Sequence, residues 1–490
     1  MPRTEWSGRL SGAADGFRGA VGRVAVEEAQ TIRRAATAAT LSNIATWYDF
    51  GIYSYIGAVA LDRVFFPDAG QWATVLTLGT FAAAFVVRPL GGIILGPLGD
   101  RIGRTKVLAA AVVLMAVATA LLGLVPSYGA IGLAAPLIVL FIRMLQGFSV
   151  AGEYIGVLTL VAEYAPDRRR GFFGSWLEFG TLIGYALGAG VSALLVAALP
   201  EEDLLAWGWR LPFILALPLG VLGIYLRIRL EETPAFRQLM ERSPAMATMS
   251  LRRVFQILGT HYRSAVLIAG GLIVAWNVTN YVLTNYVPTY LTGTLAHHGE
   301  GGTSEALSSA FQVVVMLAML CTIVFVGSLS DWIGRKPILI TGSVSLILLG
   351  LPSVWLLREG PPDQLLGLLI MGFALLCFAA VTPSALPALF PTFVRYGGLA
   401  IIFNVFVSAF AGTAPTVIGF AVTTTGNLDW PGYYLIGAGV IGLVSTLFLQ
   451  ESAGDRLTGA APLTSSADLP APKLSEDGVP LENPPAPGQG

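Results

Sequence analysis

Charge is what this chain has least of. Only 12% of its 490 residues are Asp, Glu, Lys or Arg, while 54% are hydrophobic. A soluble domain carries about 25% charged residues, and so many apolar side chains cannot be hidden inside a water-soluble chain of this size. A soluble enzyme and a disordered protein are both disfavoured. The net charge of −1 offers no bulk attraction to nucleic acid. The two cysteines, Cys321 and Cys377, lie in apolar runs and read as small core residues, not as a disulfide or metal site. The three histidines, His261, His297 and His298, fall in or beside loops. There is no spacing of His, Cys, Asp and Glu suited to a metal, no Walker loop and no Gly-x-Ser-x-Gly. Neither an enzyme, a cofactor nor an ATP drive is expected.

What the chain has instead is long apolar runs. A membrane-crossing helix needs about 20 mostly apolar residues. Twelve such runs occur, at 41–61, 73–99, 106–126, 137–162, 172–199, 211–227, 263–291, 309–330, 338–357, 364–390, 397–425 and 432–450. None sits at the extreme N-terminus behind a small-residue cleavage site, so no cleaved signal is expected. Alternate loops differ sharply in charge. One side, with both termini, holds 24 of the 29 Lys and Arg; the other holds three, Arg63, Arg210 and Arg358. The basic side is the cytoplasmic one by the positive-inside rule. Two cytoplasmic termini require an even number of spans, and twelve satisfies that. The expected organisation is a cytoplasmic segment 1–40, a six-helix half 41–227, a central cytoplasmic loop 228–262, a second six-helix half 263–450, and a tail 451–490. Seven prolines in that tail exclude a coiled coil there and predict disorder.

The halves share a loop. Gly96-Pro-Leu-Gly-Asp100-Arg101-Ile-Gly103-Arg104 lies between spans 2 and 3, and Gly327-Ser-Leu-Ser-Asp331-Trp-Ile-Gly334-Arg335 between spans 8 and 9. Duplicated halves with a site between them near the midplane are a carrier architecture. Here glycine permits close helix approach, the aspartate can accept from helix N–H groups, and the basic residues hold the loop inside. Two copies in register point to a paired gate rather than to a positive-inside turn alone.

Charges within spans are functional hypotheses by default. At about 1.5 Å per residue, Asp49, Arg88 and Glu153 lie roughly 12–16 Å from the cytoplasmic end, with Glu178 at roughly 9 Å. One cation cannot neutralise two carboxylates, so one carboxyl at this level should take up and release a proton. Glu153 or Asp49 is expected to be that group, with Arg88 as partner and Glu178 as a further coupling candidate; the competing reading is a static ion-pair cluster that fixes helix packing. Arg143 lies near the outer end of span 4, where it could snorkel. Apart from flanking residues, spans 7–12 carry no charge. Their polarity is neutral: Asn277, Tyr281 and Thr284 share one face of span 7, with Pro288 interrupting the helix beyond, and Asn404 and Ser408 share a face of span 11. Such faces line a cavity or join helices. The near-neutral charge balance suits a zwitterion better than a polycarboxylate. An ammonium could meet Trp47, Tyr48, Tyr53 or Tyr281 by cation–π attraction.

The repeated Gly-x-Leu-x-Asp loop resembles the signature of the major facilitator superfamily. A closer resemblance, to its metabolite–proton symporter branch, rests on Trp47-Tyr-Asp49-Phe-Gly-Ile-Tyr53, Arg88-Pro-Leu-Gly-Gly92, Gln146-Gly-Phe-Ser-Val-Ala-Gly-Glu153-Tyr154, Ala162-Glu-Tyr-Ala-Pro-Asp-Arg168 and Trp207-Gly-Trp-Arg-Leu-Pro-Phe213. Within that branch, Gly174-Ser-Trp-Leu-Glu178-Phe-Gly180, Glu231-Glu-Thr-Pro-Ala-Phe236 and Asn277-Val-Thr-Asn-Tyr281 are similar to the carriers of proline and glycine betaine. The resemblance spans residues 40–452. It implies an all-α integral membrane protein with twelve transmembrane helices in two pseudo-symmetric halves, placed in the plasma membrane. It implies proton-coupled uptake of a small zwitterion by alternating access, with a substrate, a proton and the lipid bilayer as partners and no obligate protein partner. It implies a proton-transfer role for Arg143 in Arg143-Met-Leu-Gln146-Gly147. Thr46 departs from the pattern, standing where an acidic residue is expected. The alternative reading is a proton symporter of organic acids such as 2-oxoglutarate, citrate or shikimate.

Overall fold

The computed structural model describes residues 36–37, 40–41, 43–56, 60–68, 73–228, 250–299 and 302–457. Most of the expected N-terminal segment, most of the central loop and most of the tail lie outside the described residues. Among the described residues the chain is helical, with no strand. A bilayer imposes this economy, because a helix satisfies its backbone N–H and C=O groups within one segment.

The principal helices are α1 (residues 43–56), α2 (Ala73–Ile102), α3 (Arg104–Leu124), α4 (Ala134–Tyr164), α5 (Arg170–Ala198) and α6 (Leu211–Ile228). A short amphipathic helix, Leu251–Thr260, precedes α7 (Arg263–Tyr281), α8 (Glu305–Ile333), α9 (Arg335–Leu356), α10 (Pro361–Ala388), α11 (Thr392–Phe406) and α12 (Trp430–Phe448). Ten helices among the described residues are long and apolar enough to cross a membrane; α1 and α6 stand at the two remaining positions. Large apolar side chains face outward around the bundle, including Val86, Leu133, Phe325, Trp332, Phe420 and Phe448. Cys321 belongs to this outward face, which corrects its expected core placement; Cys377 is buried as expected.

The packing repeats when helices are shifted by six. Within the halves, α2–α4 matches α8–α10, α3–α6 matches α9–α12, and α3–α4 matches α9–α10. Between the halves, α2 packs on α11 as α8 packs on α5, and α4 meets α11 as α10 meets α5. Small residues allow these approaches. A Cβ added at Gly147 of α4 would fall 1.9 Å from the Ala84 carbonyl oxygen of α2. Gly103 and Gly334, at corresponding places in the two repeated loops, turn between helices with φ of 109° and 101°, a region L side chains rarely adopt.

Pro288 does not end α7, as the sequence suggested. The helix continues through two π-helical turns, Val282–Tyr286 and Tyr290–Thr294, with Pro288 in the α-helical turn between them. A third π turn, Val407–Ala411, follows α11 before the helix Ala414–Thr425. π turns gather at functional sites because they shift the facing of side chains along a helix.

Candidate functional site

The carboxyls inside the bundle are held by hydroxyl groups. Asp49, Glu153 and Glu178 are all buried. Thr119 of α3 lies 2.5 Å from Asp49 Oδ2 and accepts from Gln146 Nε2 at 2.7 Å. Gln146 Oε1 in turn accepts from Arg143 Nη1 at 2.8 Å. These contacts form a line from Arg143 to Asp49 through an amide and a hydroxyl. Thr46 donates to Glu153 Oε1 at 2.8 Å. Tyr154 donates to Glu178 Oε1 at 2.7 Å, and Thr181 donates to the same oxygen at 3.3 Å.

Arg143 does not snorkel; it is fully buried, its guanidinium 3.9 Å from the centre of the Tyr53 ring and 5.2 Å from that of Phe50. α4 begins at Ala134, three residues before the expected start, so Arg143 sits almost a turn deeper. Arg88 lies 4.2 Å from the Phe85 ring and 5.2 Å from Phe50, beside Tyr281. Phe50 is therefore flanked by two guanidinium groups, an arrangement that attracts the cations to the ring faces where water is excluded.

A small cavity lies between α5, α7, α8 and α10. Its polar lining is Glu178, Thr181 and Tyr185 from α5, Trp276, Asn280 and Thr284 from the α7 segment, and Gln312 from α8. Val315, Met316, Met319, Leu375 and Ala379 supply apolar walls. Among the described residues no Lys, Arg or His is in that lining.

Of the residues the sequence marked for substrate, Thr284 lines this cavity. Asn277 instead donates to the carbonyl of Ile273, and Tyr281 packs edge-on against Phe85. Asn404 donates to Ala151 and Ala400 carbonyls, joining α11 to α4. Trp47 donates to Asn43 and its ring packs on Tyr185, and Tyr53 is hydrogen-bonded to Thr80. The sequence reading missed Trp276 and Asn280, which lie one residue round the helix from the face it selected. It also missed Gln312, the amide within the apolar run of span 8. An equally regular stripe, 276–280–284 at four-residue spacing, was the available signal.

At the end of the bundle that carries the basic loops, the halves are bridged. Asp331 accepts from the backbone N–H of Gly171 at 2.7 Å and of Phe172 at 2.8 Å, capping the first turn of α5 in the other half. Arg395 of α11 pairs with Glu163 of α4 at 2.7 Å, both side chains fully buried. Gly327 lies against Ser175, and Gly96 against Gly397 and Ala400. Arg335 donates to the Ser384 carbonyl at 3.0 Å and to Ser452 at 2.5 Å. Residues 451–457, assigned to the tail from sequence, pack here: Glu451 accepts from Arg335 and Lys336 backbone N–H, Arg170 donates to the Asp455 carbonyl, and Leu457 is buried. The side chains of Asp100, Arg101 and Arg104 lie outside the described residues. Among the described residues no group of His, Cys, Asp and Glu could hold a metal ion.

Residues 35–264 match the profile of a family described as "Sugar (and other) transporter". The chain is 45% identical over 440 residues to the glycine betaine/proline/ectoine/pipecolic acid transporter OusA of Dickeya dadantii, covering 89% of this chain and 86% of that protein. It is 43% identical, with the same coverage, to the proline/betaine transporter of Escherichia coli K12. It is 38% identical over 445 residues to the ectoine/proline transporter ProP of Corynebacterium glutamicum, covering 88% of this chain and 86% of that protein. The major facilitator superfamily proton:xylose symporter XylE, bound to 6-bromo-6-deoxy-D-glucose, superposes with a TM-score of 0.70 at 20% identity, covering 88% of this chain and 98% of that one. The human organic anion transporter MFSD10 does so with a TM-score of 0.57 at 16% identity, covering 86% and 99%. These two likenesses establish the fold.

Proposed function

The chain belongs to the sugar (and other) transporter family of the major facilitator superfamily, and from that premise we propose that it carries a small zwitterionic osmolyte or amino acid, of the proline and glycine betaine type, into the cell together with a proton. It is a multi-pass membrane transporter, not an enzyme. The observation that carries the substrate reading is the charge of the cavity: among the described residues its lining has one carboxyl, Glu178, and no basic residue. A di- or tricarboxylate would enter without a counter-charge. A zwitterion complements that lining, with its ammonium toward Glu178 and the faces of Trp276 and Tyr185, and its carboxylate toward the amides of Asn280 and Gln312. The names of the relatives, which include proline, glycine betaine and ectoine, support the same class.

The proton is taken at Asp49, in line with Thr119, Gln146 and Arg143. The basic end faces the cytoplasm in the plasma membrane, with both termini there, and the two halves rock about the cavity. Opening at that end requires Asp331 to leave the first turn of α5 and Glu163 to leave Arg395. At a potential of about 100 mV one proton charge carries about 2.3 kcal/mol, enough for roughly 50-fold accumulation.

The test is uptake of labelled proline and glycine betaine into cells lacking their own carriers, with and without a proton uncoupler. Uncoupler-sensitive uptake is expected, with Glu178→Gln raising KM for both substrates. Uptake of 2-oxoglutarate or citrate, and of neither zwitterion, overturns the reading.

A further inference from the structure

One hydroxyl in the Asp49 site has more partners than it has protons. Thr119 is fully buried on α3. Its Oγ1 lies 2.5 Å from Asp49 Oδ2, 3.0 Å from the Met115 carbonyl oxygen one turn back, and 2.7 Å from the Gln146 amide nitrogen. A hydroxyl offers one proton and two lone pairs. The amide of Gln146 can only donate, and the Met115 carbonyl can only accept. Asp49 is the one neighbour that can do either, depending on whether it holds a proton.

We propose that Thr119 is the positioning residue that lets Asp49 exchange its proton without stranding a buried polar group. The inference rests on Asp49 being the proton site. With Asp49 ionised, Thr119 donates to Oδ2 and accepts from Gln146. With Asp49 protonated, the carboxyl donates to Oγ1, and Thr119 turns its own proton to the Met115 carbonyl. Oγ1 then uses both lone pairs, for Asp49 and Gln146. Every hydrogen-bonding demand around Oγ1 is met in both states, and Gln146 keeps its place in both, so Arg143 keeps its acceptor throughout. A buried donor or acceptor left unmatched in either state would bias the site toward the other. The change on protonation is one hydroxyl rotation, with no heavy atom moved.

Thr119→Val keeps the shape and removes the hydroxyl. A hydrogen bond to a charged group is roughly twice as strong as a neutral one, so the ionised form loses more than the protonated form. The external pH at which uptake falls to half should therefore move upward, by about 0.5–1 pH unit. Other ionisable groups near the site are Arg143 and Glu153 from α4, Arg88 from α2, Tyr185 from α5, and Tyr48 and Tyr53 on α1 itself. All are unchanged in the variant.

The experiment is the pH profile of labelled proline uptake for the full chain, Thr119→Val, Thr119→Ser and Asp49→Asn, each normalised to the amount in the membrane. The expected result is an upward shift in Thr119→Val and the wild-type midpoint in Thr119→Ser, with Asp49→Asn losing uncoupler-sensitive accumulation. Thr119→Ala replaces the valine variant if that one does not reach the membrane. A wild-type midpoint without the hydroxyl, or a serine variant that moves with valine, overturns the role of Thr119 and leaves Asp49 in place. Asp49→Asn with wild-type accumulation and midpoint overturns the proton reading itself, and this inference with it.

Discussion

Removing one carboxylate at the basic end should shift the balance between the closed and open forms of the carrier. Glu163 and Arg395 pair at 2.7 Å across the two halves, fully buried. Arg395 also donates to the carbonyls of Pro387 and Phe390 and to Thr392, all in the last turn of α10, the loop after it and the start of α11. Those bonds stay with the second half when the halves separate, whereas the bond to Glu163 cannot. Glu163→Ala therefore removes this buried bond between the halves from the closed form and leaves the open form, where the bond is already broken, little changed. Breaking a buried pair by deleting one partner costs about 3–5 kcal/mol, which corresponds to a shift toward the open form on the order of 10²–10⁴-fold. Ser384, buried where α10 meets α5, is a suitable reporter. In a chain carrying Cys321→Ser and Cys377→Ser, a Ser384→Cys reporter should label slowly with a membrane-impermeant maleimide applied from the basic side. Glu163→Ala should raise that rate by the stated factor. Glu163→Leu combined with Arg395→Leu should return it toward the starting value, because replacing both charges with apolar groups is close to neutral. Unchanged labelling in Glu163→Ala, or a double variant that labels as fast as the single one, refutes the reasoning.

Two further outcomes follow from other contacts. Gly147→Ala should lower the melting temperature of the detergent-purified protein or prevent its accumulation, since its methyl would fall 1.9 Å from backbone; Gly437→Ala, with nothing within 4 Å, is the control that should stay at the wild-type value. Burial pushes the Glu451 carboxyl up, but the backbone N–H groups of Arg335, Lys336, Ala453 and Ser452 outweigh it and hold the carboxyl below its ordinary value of 4.5. Its contribution to docking residues 451–457 is thus present above pH 4.5 and lost as the pH falls through the depressed value. A spin label attached at neutral pH to Ala453→Cys should stay immobilised down to that range and become mobile below it; mobility gained near neutral pH contradicts the assignment.

The fold was legible because a bilayer constrains sequence so tightly. Apolar runs marked the helices, and the two glycine-aspartate loops marked the repeat; Gly103 and Gly334 adopt the same backbone turn in both copies. The site was legible only in part. The N-terminal half offered its candidate residues because charges inside apolar runs stand out. The neutral half had no such contrast: Asn277 and Asn280 look alike in sequence, and which of them meets the cavity depends on a rotation of about 100° per residue that hydropathy does not record. Cys321 was misplaced for a related reason. A helix apolar all round does not reveal which side faces lipid.

Thr46 shows how a departure from pattern becomes intelligible in the structure. In sequence it reads as a missing carboxylate; in the bundle its hydroxyl donates to Glu153. A hydroxyl satisfies that carboxyl without adding charge. Asp49, Glu153, Arg88 and Arg143 then sum to zero when all are ionised, and one proton on the cluster leaves an excess of one positive charge. Within the described residues the second half offers no buried carboxylate to spans 7–12 that could offset it. On the reading proposed here, the substrate does so with its own carboxylate. Two unit charges about 10 Å apart interact by about 1.7 kcal/mol at an effective dielectric of about 20, within the range by which coupled sites usually influence one another. An extra carboxylate at position 46 would hold the protonated cluster neutral and remove that attraction. A hydroxyl there makes the cluster's charge, and so its pull on a zwitterion, depend on the proton.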